Sequence, residues 1–525
     1  MSPSPLFLCH AVPVPIVAAI FAVVLAVCTP RYGYHRDELY FLAAGRHLDW
    51  GYPDQPPLTP LLAKLMSAID PDSLFLLRLP ALVAATVVVV CAGLMAREFG
   101  GGRAAQALAA ATVASAAMVM GMGHMLSTAV VELAVWSVVS LLVLKLMRQI
   151  GVVDPPSEAV AASPSPTDAA ATAGERQTRN EAAWLSGPRW WVPIGVVVGV
   201  GLQNKLLLIF LVLALLICLL LLGPRKLFAT KYFPIAVGIA ALIWAPNLVW
   251  QARNGWPQWE MSQEIAGGSS GTSDSPIMFV LLQFGLMGAV LVPLWAFGLW
   301  RLARDARYRA FAAAYVLLFV VFLVTGGKAY YLGAMYPILL AAGAVPLATW
   351  LGQRRIRWAA VSFVVAVNAV VGAVLFLPIL PVSTMKDSPV LAVNYDAGET
   401  IGWPDFVRQI GDVRARLGDN VAVLTANYGE AGAIERFGAP YNLPRPHSGH
   451  NAYWWWGPPS DTATEYLTVG MDRDYLARFF TDIQPAGQLD NGLDLDNDEQ
   501  GEPLFICRNP RGPWSELWPK AKHLG

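Results

Sequence analysis

Repeated apolar runs set the terms on which this chain can fold. A bilayer core takes roughly 20 consecutive apolar residues per helix. Eleven stretches approach that length: about 11–30, 74–96, 104–121 and 125–147, two shorter runs within 191–222, then 233–250, 277–300, 309–326, 331–351 and 358–381. The run 191–222 is too long for one span and carries Asn204-Lys205 inside it, so it divides there. Composition agrees: 14% of residues are charged and 55% hydrophobic, against about 25% charged in soluble domains. The chain therefore reads as a polytopic α-helical membrane protein of about eleven transmembrane helices. The apolar runs make the lipid bilayer its partner, and its net charge of +0 points to no nucleic acid. The five cysteines are scattered without CxxC spacing and read as small buried hydrophobes.

Lys and Arg give the orientation. Alternate loops hold Arg97 and Arg103; Lys145, Arg148, Arg176, Arg179 and Arg189; Arg225, Lys226 and Lys231; Arg301, Arg304, Arg307 and Arg309; Arg354, Arg355 and Arg357. These loops are expected to be cytoplasmic, with the N-terminus. The first run lacks a basic n-region and is read as a retained helix, not a signal peptide. Loop 31–73 and everything after 382 then lie outside the cell membrane. Residues 151–187, rich in Ala, Pro, Ser and Thr, read as a disordered cytoplasmic linker. Two domains are expected: a membrane domain over 1–381 and an extracytoplasmic α/β domain over 382–525. In the latter, "TIGWPDFVRQIGDVRARLG" predicts an amphipathic helix. "NVAVLTANYG" predicts a strand ending at Gly429, and "EAGAIERFG" a helix stopped by Gly438.

Loop 31–73 breaks the charge trend with Arg31, Arg36, Arg46 and Lys64. "DELYFLAAGRHL" and "PPLTPLLAKLMSAI" predict two amphipathic helices lying at the outer interface. Asp37 and Glu38 fall in the first turn of the first helix, where first-turn acids are common for purely local reasons. Other charges lie in the same outer layer. Glu132 sits about two turns from the outer end of its span, and Lys205 and Lys328 at outer span ends. An ionisable group at bilayer depth costs roughly 2.5–3.5 kcal/mol on insertion scales and marks function by default. The bland alternative is a buried Glu132–Lys205 pair. Cations suit a phosphate, and a carboxylate can take a proton from an attacking hydroxyl. One base with cations fits sugar transfer from a lipid phosphate better than hydrolysis, which uses two carboxyls.

The segment "HRDELYFLAAGRHLDWGYPDQPPLTPLLAKL" resembles the first outer loop of the GT-C-fold, polyprenyl-phosphate-sugar-dependent glycosyltransferases. This is the protein O-mannosyltransferase-like group, which includes the lipid A aminoarabinose transferase. "GLQNKLLLIF", "WAPNLVWQARNGWP" and "GKAYYLGAMYPILLAAGA" are similar to further segments of that group, over roughly the first 380 residues. "IGW" and "NYGEAGAIERFG" resemble the tail of one bacterial branch. The resemblance implies Asp37 as general base, with Glu38 positioning the acceptor or a metal. Glu132 stands where the group often has Asp, one methylene longer. His35, Arg36, Lys64, Lys205, Lys328, Tyr330 and Tyr331 are the candidates for holding the donor. The implied partners are a polyprenyl-phosphate-linked sugar and an acceptor protein or glycan, and a divalent metal (Mg or Mn) is allowed. A non-catalytic lipid-sugar binding or flipping protein is the alternative. A secondary transporter is disfavoured, since no internal repeat is visible. "HSGHNAYWWWGPP" offers His447 and His450 without a third zinc ligand. Trp454 to Trp456 read as a sugar platform or as core and interface residues.

Overall fold

The computed structural model describes residues 13–151, 189–266 and 275–525. The linker read at 151–187 falls, apart from Gly151, outside the described residues, as does Cys9. The other four cysteines are free and buried.

The first run folds as α1 (Pro13–Cys28), and the loop after it carries α2 (Arg36–Arg46) and α3 (Leu58–Ile69). There follow α4 (Leu74–Glu98), the pair α5 (Arg103–Ala114) and α6 (Ala117–Gly123), α7 (Thr128–Gln149), α8 (Trp191–Leu202), α9 (Leu208–Leu222) and α10 (Tyr232–Arg253). After α11 (Pro257–Ala266) come the pair α12 (Pro276–Gly285) and α13 (Val292–Arg304), α14 (Arg309–Val324), α15 (Tyr336–Leu351) and α16 (Arg355–Phe376). Among the described residues five helical stretches are long and apolar enough to cross a membrane, seven if each bent pair is one span. The expected eleven also counts α1, α8, α9 and α14, helices of 16, 12, 15 and 16 residues.

The two bent pairs share one device. α5 and α6 meet at 64°, and α12 bends from the following helix by 79°. Each break frees backbone carbonyls that lipid cannot satisfy. The side-chain amide of Asn368, on α16, donates to Ser115 O at 2.7 Å in the first break and to Met287 O at 3.1 Å in the second.

The C-terminal region holds α17 (Trp403–Arg414), α18 (Tyr428–Phe437), α19 (Trp514–Ala521) and five strands. These are β1 (Val421–Thr425), β2 (Pro446–Ser448), β3 (Glu465–Val469), β4 (Phe480–Gln488) and β5 (Pro503–Pro510), in spatial order β2-β1-β3-β5-β4. β1 runs parallel to β2 and β3, while β5 is antiparallel to β3 and β4. The strand expected to reach Gly429 stops at Thr425. Asn427 ends it by capping α18: its side chain accepts from Glu430 N while the Glu430 carboxylate accepts from Asn427 N. Gly429 is thus helical, and Gly438 closes α18 as expected.

The structure also corrects the reading of α2. Eight of its eleven residues, Glu38 to Gly45, are buried, so it does not lie on a lipid interface. It is wedged beneath α18, where Gly432 faces the Leu39 backbone at contact distance. α3 keeps the amphipathic reading, with Leu61, Leu65 and Ile69 exposed. All three tryptophans of the cluster are half-buried. Trp454 and Trp518 donate to each other's carbonyl oxygens at 2.9 Å. His447 and His450 contact the backbone oxygens of Gly457 and Gly525.

Candidate active site

The start of α2 is fixed from both directions. His35 caps it: its Nδ1 accepts from Asp37 N at 3.2 Å, and its own N donates to Glu38 Oε2 at 2.9 Å. The Nε2 hydrogen then faces Asp396 at 3.8 Å. Glu38 is fully buried. Arg78, on α4, donates from Nε to Oε1 and from Nη2 to Oε2, both at 2.8 Å, and Leu126 N donates to Oε1 at 2.9 Å. Burial opposes the charge on Glu38, but Arg78 outweighs it and holds the carboxyl below its ordinary range. The same guanidinium donates to Thr29 O and Gly33 O. Glu38 is therefore a pin between the end of α1, α2, α4 and Leu126.

Asp37, the neighbouring acid, is only half-buried. The Tyr428 hydroxyl donates to its Oδ1 at 2.8 Å, and Oδ2 has no hydrogen-bond partner among the described residues. Arg36 turns the other way. It pairs with Asp498 and with Glu399 at 3.6 Å, and lies over the Tyr428 ring at 5.3 Å. A second carboxylate stands close by: Asp54 accepts from the Tyr40 hydroxyl at 2.7 Å. Burial, with the Asp37 charge beside it, raises Asp54 to about 7 against the effect of that hydrogen bond.

A second cluster gathers four of the predicted residues. Lys205 Nζ lies 3.4 Å from Glu132 Oε2 and over the rings of Tyr330 and Tyr331 at 5.0 and 5.2 Å. The chain breaks between α8 and α9 to place Lys205 there. Asn204, buried in that break, accepts from Thr59 Oγ1 at 2.8 Å and donates to Thr128 O at 2.8 Å. Leu58 N donates to Gln203 O at 2.9 Å. The segment from Asp54 to Thr59 thus ties the Asp37 neighbourhood to the Lys205 neighbourhood. Lys328 is half-buried near Asp396 and carries no ion pair among the described residues. Lys64 is exposed and packs beside Gly45, about 12 Å along α2 from Asp37 at 1.5 Å per residue.

The described residues offer the implied metal no ready-made protein ligand set. Both Glu38 oxygens are occupied, and no group of three His, Cys, Asp or Glu among the described residues stands as a ligand set. Three residues at the site escaped the sequence reading: Arg78, Asp54 and Tyr428. Arg78 had a signal, an arginine inside an apolar run. Asp54 and Tyr428 had none.

No protein-family model matches the sequence, and no curated protein matches it either. Solved structures do match. ArnT from Cupriavidus metallidurans bound to undecaprenyl phosphate aligns over 94% of this chain and 97% of its own, with a TM-score of 0.58 at 15% identity. The apo state of that protein gives 0.57 at the same coverage and identity. AglB from Archaeoglobus fulgidus, in complex with an inhibitory peptide and a dolichol-phosphate, covers 97% of this chain and 76% of its own at 12% identity, with a TM-score of 0.49, too low to build on. The chain has the fold of the membrane GT-C glycosyltransferases. Nearly the whole of it, C-terminal region included, shares that fold with ArnT.

Proposed function

We propose that the protein is a membrane glycosyltransferase that moves a sugar from a polyprenyl-phosphate donor to a hydroxyl of an extracytoplasmic protein, glycolipid or wall glycan, with Asp37 as general base. The observation that carries this reading is Asp37 itself. It is a half-buried carboxylate with one oxygen held and the other unpartnered, within a fold shared with a protein that binds undecaprenyl phosphate. The acceptor O–H gives its proton to Oδ2, and the acceptor oxygen bonds to C1 of the sugar. The C1–O bond to phosphate breaks, and the lipid phosphate leaves with the electron pair. Cations make that phosphate a good leaving group. Lys205, steadied by Tyr330 and Tyr331, and Lys328 supply them in this reading. His35, Arg36 and Lys64 leave the donor set, since the first caps a helix, the second faces carboxylates and the third is remote. Glu38 acts through placement of α2, and no step runs through a metal.

The test uses purified protein, membranes from a deletion strain as acceptor, and a panel of radiolabelled synthetic undecaprenyl-phosphate-linked pentoses and hexoses. One donor should be transferred. Asp37→Asn should bind that donor normally and transfer it at least a hundredfold more slowly, since base catalysis contributes about 10²–10⁴-fold. Transfer by the variant at the parent rate refutes Asp37 as base. Binding without transfer of any donor would favour the lipid-sugar binding or flipping alternative.

A further inference from the structure

The Tyr428–Asp37 hydrogen bond joins residues 391 positions apart, one on the C-terminal α18 and the other on the first loop's α2. Packing does not require it. The N-terminus of α2 is already satisfied by His35 and Glu38, and α18 carries its own cap from Asn427 and Glu430. Yet the Tyr428 ring is boxed on several sides. It lies 4.7 Å from the Tyr40 ring, 4.8 Å from the His450 ring and 5.3 Å beneath the Arg36 guanidinium. His450 is in turn stacked on His523 at 4.7 Å. Gly429 and Gly432 let α18 lie close enough to α2 for the hydroxyl to reach. Burial, then the Asp37 charge, holds that hydroxyl protonated and so a permanent donor.

A fixed donor on Oδ1 does more than tie two helices. It holds Oδ1 in one place and leaves Oδ2 as the oxygen without a hydrogen bond among the described residues. We infer that Tyr428 is a positioning residue for the transfer reaction, so that the C-terminal domain completes the active site instead of merely covering it. The inference rests on the reading of Asp37 as base.

The transfer assay above tests it. Tyr428→Phe keeps the ring and every stacking contact and removes only the hydroxyl. The expected result is a kcat lowered about ten- to a hundredfold, as for a misplaced reacting group, with the KM for the lipid-linked sugar and the thermal unfolding midpoint unchanged. Tyr428→p-aminophenylalanine, which restores an N–H donor, should recover most of the loss. In an Asp37→Glu background the carboxylate no longer matches the hydroxyl, so Tyr428→Phe should cost nothing further. An unchanged kcat overturns the inference. Equal losses in both backgrounds, or a loss that the amino analogue fails to repair, reduce Tyr428 to a structural contact. If Asp37→Asn transfers at the parent rate, the failure belongs to the reading of the base. If that variant is slow and Tyr428→Phe is not, only the role of Tyr428 falls.

Discussion

Arg78 and Glu38 form an ion pair from which water is shut out, with relative side-chain exposures of 1% and 0%. Such pairs add little net stability when intact, because desolvation offsets the attraction, but losing one partner strands the other charge. Arg78→Met should therefore destabilise the protein by about 3–5 kcal/mol, seen as a lower unfolding midpoint in detergent. Glu38→Gln combined with Arg78→Met removes both charges and should recover much of that loss. A single variant as stable as the parent would show that the pin is not made. The same geometry separates two adjacent acids: Glu38 spends both oxygens on placing the backbone of α2, which leaves Asp37 as the acid with an oxygen to offer.

The telling element is α18, whose face toward α2 carries two glycines, Gly429 and Gly432. An added Cβ at Gly432 would lie 2.8 Å from the carbonyl carbon of Leu39, closer than packed carbon atoms approach each other. Gly-to-Ala exchange inside a helix ordinarily gains about 0.5–1 kcal/mol. Overpacking costs about 1–3 kcal/mol, and here it should win. Gly432→Ala is expected to lower the unfolding midpoint and, by lifting Tyr428 away from Asp37, to slow transfer. A raised midpoint would mean that α2 and α18 are not in close contact. This is the physical sense of "NYGEAGAIERFG": Asn427 and Glu430 cap the helix, and the two glycines let it settle onto the first loop.

Across the whole molecule, the C-terminal region docks on the first loop at several separated points. Arg46 pairs with Glu435 at 2.7 Å, Arg436 pairs with Asp72, and Gly33 N donates to Thr400 O at 3.1 Å. Docking puts loop and domain on one side of the bilayer. The Lys and Arg distribution predicts that this side is the outer one. Asp412, 59% exposed on α17, is a suitable reporter. Asp412→Cys in a Cys9→Ser background should react with a membrane-impermeant maleimide in intact spheroplasts. Labelling only after lysis would reverse the topology and remove the outer-face site.

Sequence alone determined where helices form and where they break. Apolar length, period and caps are local properties, and they place α4, α7, α10 and α16, the break around Asn204-Lys205, and the helix begun by Trp403. They also predict one layer for Asp37, Lys205 and Lys328, because span ends share a depth in the bilayer. Only the tertiary structure decided which polar groups meet. Glu38 is claimed by Arg78, 40 positions away, and α2 is buried under α18 instead of lying on lipid. Asp37 takes its hydrogen bond from a residue 391 positions downstream. Periodicity records how each segment is solvated, but a hydrogen bond between distant residues depends on how the chain returns to itself, and no local pattern carries that.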